Sequence, residues 1–278
     1  KKDWNGEVQL SYNISDNSLD KNIYGKSFYF NTGNSSWDKA QALAEDLGGN
    51  LISINSQEEQ DFITTNFASF DDGEHGKWIG LNDQAQEGNW TWTDGSILDF
   101  KNWHPGGPSG DGDFGMIWSK YGTDLNPIFP VGSWNDVGHM GDAQLSGISE
   151  IPFYNFGNSI YFKLGPSKWT EAQALAEDLG GSLVSINSQE EQDFIVNTFL
   201  SRNDGQIGKW IGLTDKDQEG KWTWTDGSNL NFTSWSSGEP NDDKPDGQYA
   251  ADYVLISQES TPWNTSHLGS WNDHIDDV

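Results

Sequence analysis

Carboxylates are the side chains of this protein with chemistry to offer, and several recur in matched settings. Asp83 and Glu87 stand four apart before Gly88, and Asp215 and Glu219 stand likewise before Gly220. Asp136 and Asp273 each follow Trp-Asn. Asp and Glu number 43 against 15 Lys and Arg, a formal net charge of −28. Charges at that density must be held apart, and divalent cations with oxygen ligands are the simplest neutralising partners. With no cysteine in the chain, disulfides and thiolate metal sites are excluded. The five histidines (His75, His104, His139, His267 and His274) have no metal-ligand spacing and read as surface residues. No Gly-x-Ser-x-Gly element accompanies the serines, which argues against nucleophilic catalysis. The glycine-rich stretches lack the Lys-Ser/Thr of a phosphate cradle. A pI near 4.1 has the wrong sign for nucleic acid and for an anionic leaflet. No apolar run approaches the ~20 residues of a membrane helix, and a secretory signal would have to lie upstream.

The elements that position these groups come in two copies. Ala40–Gly49 (AQALAEDLGG) recurs as Ala172–Gly181, Ser53–Ile63 as Ser185–Ile195, Trp78–Leu81 as Trp210–Leu213, and Trp90–Ser96 as Trp222–Ser228, each 132 residues apart. That period is too long for a solenoid unit and predicts two homologous domains. The offset rises to 137 at Trp134 and Trp271, because the second copy has a longer loop after Gly238. Within a copy, Ser36 or Ser35 can cap a helix with Ala40, Leu43, Ala44 and Leu47 at helical spacing, stopped by Gly48-Gly49. Ser56 followed by Glu59 is a capping box for a second helix, whose apolar face holds Phe62, Ile63 and Phe67. Strands are expected at 51–54, 78–81, 90–92 and 116–119, with a long aperiodic loop, 103–113, between the last two. Such a loop in a compact domain is usually functional. Fifteen Trp, 14 Phe and 8 Tyr supply a core that a disordered acidic chain would lack. The fold class is therefore α+β, helices early and strands and loops late.

This order of motifs resembles the C-type lectin-like domain: the helix ending Gly-Gly-x-Leu, Trp-Ile-Gly-Leu, Glu-Gly-x-Trp-x-Trp-x-Asp-Gly, Glu239-Pro240-Asn241 and Trp271-Asn272-Asp273. It covers about residues 24–151 and 152–278 and implies two tandem domains, 21–151 and 152–278. Each would hold two helices, small antiparallel sheets and a long calcium-binding loop. The family's disulfide positions hold Ala44 and Phe114 in one copy, Ala176 and Tyr253 in the other, so packing and metal must do that work. Residues 1–20 lie outside both copies; their apolar–polar alternation reads as a strand and looks like the tail of a cadherin-like repeat. Together with the acidity and the lack of cysteine, this points to a segment of a long, calcium-dependent bacterial surface adhesin.

The resemblance implies calcium at two places in the second domain. Glu239, Asn241, Asn272 and Asp273 match ligands of a site whose ion also takes two sugar hydroxyls, with Pro240 cis. The Glu-Pro-Asn triplet implies the mannose, glucose and fucose class. A further carboxylate expected just before Asp252 is Ala251; Asp243 or Asp246 is the expected replacement. Asp215, Glu219, Asp242 and Asp252 match a structural calcium site. In the first domain the triplet is Gly107-Pro108-Ser109, a degenerate sugar site, with Asn135 and Asp136 retained. Asp83, Glu87 and Asp113 match the structural site, with Gly110 in place of Asp242 and Asp111 as its substitute. Trp263, in the longer loop, is a candidate sugar-stacking platform; Trp78, Trp90, Trp92 and their second-copy counterparts belong to the core.

The expected function is calcium-dependent carbohydrate binding by the second domain in extracellular, cell-surface adhesion, with the first domain as scaffold or divergent binder. A protein, peptide or ice-binding module without sugar recognition is the rival, and a calcium-stiffened spacer a third reading. Turnover is not expected: metal-bound carboxylates cannot serve as a glycosidase's general acid. One feature stays open: the second copy stops five residues after Asp273, so its closing strand is truncated, borrowed or differently made.

Overall fold

A computed structural model describes residues 7–13, 23–110, 112–138, 145–200, 208–242, 250–258 and 267–276. Two compact units divide the chain: residues 16–152, and residues 153–278 joined by the stretch before residue 16. That stretch supplies β1 (Glu7–Asn13).

The first unit runs β2 (Ile23–Tyr24), β3 (Ser27–Ser35), α1 (Trp37–Asp46), β4 (Asn50–Leu51) and α2 (Gln57–Ile63), which continues as a π-helical turn, Thr64–Ala68. It goes on through β5 (Gly76–Asn82), β6 (Thr91–Trp92), β7 (Phe114–Trp118), α3 (Lys120–Leu125), β8 (Trp134–Val137) and β9 (Leu145–Pro152). Its sheet has the order β2-β3-β9-β5-β7-β8, with β4 on β9 and β6 on β5. The β5–β9 pairing is parallel. The second unit repeats the scheme with β10 (Tyr154–Phe156), β11 (Ser159–Leu164), α4 (Trp169–Asp178), β12 (Ser182–Leu183), α5 (Gln189–Phe199), β13 (Gly208–Thr214), β14 (Thr223–Trp224), β15 (Tyr253–Ser257) and β16 (Trp271–His274). The expected α+β class is what forms.

Local chemistry accounts for the helices. Helix α1 buries Trp37, Ala40, Gln41 and Ala44; Leu43, expected on that face, is 39% exposed. The helix turns out at Gly48, φ 85°, a left-handed position that costs glycine least. Ser56 caps α2 by accepting from the Glu59 amide at 3.1 Å. The Glu59 carboxylate, however, takes the Asn55 amide at 2.8 Å, one residue before the partner a capping box uses. Ser188, Asn187 and Glu191 repeat this in α5.

Where the sequence has no disulfide, aromatic pairs join helix to sheet. Trp37 stacks on Phe114 at 4.9 Å between centroids, and Trp169 lies 4.5 Å from Tyr253. Such pairs contribute roughly 0.5–1.5 kcal/mol beyond the area they bury. The indole nitrogens are anchored too: Trp37 donates to the Ile79 carbonyl, and Trp134 and Trp271 donate to Gln60 and Gln192. The repeated tryptophans are core in both units, as expected.

The N-terminal segment, expected to stand outside both copies, does not. β1 lies inside the second unit's sheet, order β10-β11-β1-β13-β15-β16. It runs antiparallel to β11, with Ser11 opposite Tyr161, and parallel to β13, with Val8 opposite Trp210. β9 holds the same slot in the first unit, antiparallel to β3 and parallel to β5. The closing-strand slot of the second unit is thus filled from before the first copy. No helix among the described residues is long and apolar enough to cross a membrane.

An internal strand cannot accommodate proline without losing a ladder hydrogen bond. Leu10→Pro should therefore speed hydrogen exchange across residues 153–276 and leave 23–138 protected as before. Equal protection of both units in the variant would show that β1 does not close the second sheet.

Candidate functional site

Each unit carries a long loop between its Trp-x-Trp strand and the strand that follows: 93–113 between β6 and β7, and 225–252 between β14 and β15. Both loops are tied to the sheet in the same way. The Trp103 backbone bridges Trp134, and Trp235 bridges Trp271. Beyond that bridge come a glycine of positive φ (Gly106, 98°; Gly238, 95°) and a cis X-Pro bond, Gly107-Pro108 or Glu239-Pro240. The cis geometry expected at Pro240 is present.

In the second unit the Asp273 carboxylate of β16 receives the loop. Its Oδ1 accepts from the Asn241 amide at 3.0 Å and its Oδ2 from the Asp242 amide at 2.7 Å. This brings Glu239-Pro240-Asn241 against Asn272-Asp273, the four residues matched to the sugar-site ion. Asp242 sits at φ 47°, alone among described non-glycine residues in the left-handed region. Gly110, at φ 76°, holds that position in the first unit. Aspartate tolerates the conformation better than most residues. Its carboxylate is put to use, since Oδ1 accepts the Ala251 amide at 3.1 Å.

Below the loop lie the structural-site carboxylates. In the first unit the Asp83, Glu87 and Asp113 oxygens all come within 4.8 Å of one another. Asp83 is 2% exposed; its Oδ2 accepts the Gly88 amide at 2.7 Å, while its Oδ1 is buried with no hydrogen-bond partner. Asp215 repeats every feature: 3% exposed, Oδ2 on the Gly220 amide at 2.8 Å, Oδ1 buried and unpartnered. Burial above all, then the neighbouring Glu219 and Asp252 carboxylates, push the Asp215 carboxyl up to about 6, against the pull of the Gly220 amide. An unpaired buried carboxylate oxygen among further carboxylates fits a hard cation with oxygen ligands, and calcium suits that donor set.

The sugar-site position of the first unit is built differently. Asp136 accepts from the Ser109 amide with both oxygens at 2.8 Å, from the Ser109 hydroxyl at 3.0 Å and from the Gly110 amide at 2.8 Å. Burial opposes its charge, but these donors hold the Asp136 carboxyl below its ordinary value. The loop is latched there by protein donors alone. His104, expected at the surface, is 9% exposed, packs on Phe129 at 4.7 Å and lies under Gly107, where a Cβ would come within 2.9 Å of its Nε2.

At the position of the missing carboxylate, Ala251 is buried. Its first-unit counterpart, Gly112, leaves no room for any side chain: a Cβ would lie 2.1 Å from the Val137 carbonyl carbon. Trp263, Asp243, Asp246 and Asp111 lie outside the described residues. Sequence reasoning missed the Ser109 latch, the buried His104 and the contacts of Ser236 beneath Asn272. The one signal for them was the 132-residue alignment itself, which sets His104 opposite Ser236 and Ser109 opposite Asn241.

The family profile of the Lectin C-type domain matches residues 33–125 and 165–276. C-type mannose receptor 2 of Mus musculus is 29% identical over 254 residues, 83% of this chain and 16% of the relative. The low affinity immunoglobulin epsilon Fc receptor of Mus musculus is 35% identical over 134 residues, 47% of this chain and 37% of the relative. The chain thus spans about a sixth and just over a third of these two proteins. Among solved structures, the cow C-type carbohydrate-recognition domain of CD23, determined in the presence of GlcNAc2Man3 oligosaccharide, aligns with 52% of this chain and 100% of its own at 30% identity and a TM-score of 0.40.

A carboxyl raised from 3.8 to about 6 on folding binds more protons in the folded state. Its contribution to stability is present below pH ~4 and is lost as pH rises through ~6. Calcium requires the carboxylate, so its stabilisation should grow over the same interval. In chelator, Asp215→Asn should raise second-unit stability near pH 7, by on the order of 1–3 kcal/mol, and flatten its pH slope. In calcium the variant should forfeit the metal-induced rise in Tm. An unaltered calcium-induced rise in Tm would remove Asp215 from the metal shell.

Proposed function

Because the chain belongs to the C-type lectin domain family, we propose that its second unit is a calcium-dependent carbohydrate-binding module of the mannose, glucose and fucose class. The observation that carries this reading is the double acceptance by Asp273, which holds Glu239-Pro240-Asn241 beside Asn272. Calcium bound there would offer coordination positions to a vicinal diol. Around that diol the chain supplies an acceptor in the Glu239 carboxylate and a donor in the Asn241 amide, the pairing suited to two hydroxyls that each give and receive a hydrogen bond. Asp215, Glu219, Asp242 and Asp252 would hold a second ion that stiffens the base of the loop, as Asp83, Glu87 and Asp113 would in the first unit.

The first unit is read as scaffold. Its loop is already tied by Ser109 to Asp136, and Gly107 brings no carboxylate. Binding without turnover is the expected activity, in keeping with relatives named as receptors. The acidic, cysteine-free composition supports an extracellular setting, a segment of a longer bacterial surface adhesin. A lone site near millimolar affinity amounts to only about −4 kcal/mol, so adhesion would rest on many copies acting together.

Calorimetry or a glycan array should show weak binding of fucose-, mannose- or glucose-type ligands, lost in EDTA and in Asn241→Asp. Chromogenic glycosides should pass unhydrolysed. Binding that survives both chelation and the loss of Glu239 would instead establish protein, peptide or ice recognition through the loop face.

A further inference from the structure

Beneath Asn272 lies a small hydroxyl cluster that no ligand match calls for. Ser236 is fixed in place by its backbone: its amide donates to the Trp271 carbonyl at 2.9 Å, and the Trp271 amide donates to Ser234 at 2.8 Å. Its Oγ lies 2.6 Å from Asn272 Oδ1 and 2.7 Å from Ser270 Oγ. Ser270 Oγ lies 2.6 Å from the His267 carbonyl. Ser257 Oγ, 1% exposed in residue terms, stands 3.4 Å from the same Asn272 atom.

The protons in this chain can be counted. Three short oxygen contacts (Ser270 to His267, Ser236 to Ser270, Ser236 to Asn272) each need one, and each hydroxyl carries a single proton. A carbonyl cannot donate, so Ser236 and Ser270 together bring two protons to three contacts. The third must come from Asn272. Turning its carboxamide by half a revolution about Cβ–Cγ, a change that heavy-atom positions hardly register, puts Nδ2 against Ser236. Ser236 then donates to Ser270, and Ser270 to His267. The second N–H of the amide faces Ser257. Every contact now has its proton.

We propose that Ser236, with Ser257, is a positioning residue that turns the NH2 of Asn272 inward and so presents its carbonyl oxygen, the only atom of that amide a cation can use. This rests on the reading of Asn272 as a calcium ligand. The opposite orientation would aim two N–H groups at the ion. The first unit provides the internal contrast. Its backbone frame is the same, with the His104 amide on Trp134 at 2.9 Å, but His104 occupies the serine's place. Its Nδ1 meets the Pro105 carbonyl at 3.0 Å, and Asn135 spends Nδ2 on the Asp136 carbonyl at 2.7 Å. The residue after the bridging tryptophan therefore separates a copy whose loop tip is set for an ion from one whose loop tip is not.

The test is made on the full chain by nitrogen-15 NMR of side-chain amides. In chelator, the Asn272 NH2 protons should be protected from solvent exchange. Ser236→Ala should release them, and Ser236→Thr should keep them protected. In calcium titrations of the same samples, the second-unit resonances should report an affinity about tenfold to a hundredfold weaker for Ser236→Ala, the usual size of an outer-shell effect, with Ser236→Thr near the parent. An Asn272 NH2 that exchanges equally in parent and Ser236→Ala overturns the proposal. Released NH2 protons with unchanged calcium affinity leave the orientation standing and overturn the ligand reading beneath it.

Discussion

Each unit hangs its long loop on one carboxylate from the strand paired with the one that the loop enters, Asp136 on β8 in the first and Asp273 on β16 in the second. Both accept two consecutive loop amides, Ser109 and Gly110 or Asn241 and Asp242. An ionised acceptor makes such bonds roughly twice as strong as neutral ones. Everything at the tip of the loop takes its position from them. Remove that carboxylate and the triplet at 239–241 has no fixed relation to Asn272. In the first unit Ser109 adds its hydroxyl to the two amides, which satisfies the carboxylate without an ion. In the second the residue at that place is Asn241, whose side chain is longer and exposed. The same latch thus holds the loop in both copies.

Below the latch the fold does something costly. It buries Asp83 and Asp215 to a few per cent exposure and leaves one oxygen of each unpartnered. A chain with 43 acidic residues has no need of a buried carboxylate for solubility, and leaving a buried charge unpaired costs more than almost any other local choice. Other strain accumulates beside it, in the left-handed Asp242. Non-glycine residues keep such a conformation when the surroundings over-determine it. Here the Asp242 carboxylate, on the Ala251 amide, ties the loop to the segment that carries Asp252. Each unit thus concentrates unfavourable electrostatics at one spot of its own, and a divalent cation is the partner that would offset it.

The helices, the two copies and most core tryptophans were legible in the sequence, because a capping serine, a helical apolar spacing or an exact repeat acts locally. The α+β class and the grouping of Glu239, Asn241 and Asp273 followed from motif order. What was not legible depends on contacts between remote residues. β1 belongs to the second unit although the first unit separates it from its partners, and no local pattern records that pairing. The alternation of residues 7–13 predicted a strand; it held nothing about which sheet. Leu43 obeyed the helical spacing and is still exposed, since the buried stripe of α1 is centred on Trp37, Ala40 and Ala44. His104 reads as a surface histidine until the loop folds over it. Ala251 reads as a lost ligand, and no local pattern records that its counterpart Gly112 passes too close to Val137 for any side chain.

That last contact bears on how the two copies diverged. In the first copy Gly112 leaves no room for a side chain, so a carboxylate cannot be placed there by substitution alone, whereas the second copy holds a buried methyl at Ala251. The second unit instead ties residue 251 into the loop through Asp242, whose carboxylate accepts the Ala251 amide from a left-handed turn. Its hydroxyl cluster under Asn272 belongs to the same economy. Were a cation to bind there, the orientation of Asn272 would matter most, because a carboxamide can face it with the wrong end. Serine at 236 removes that freedom; histidine at 104, in a copy whose carboxylate is already satisfied, has none to remove.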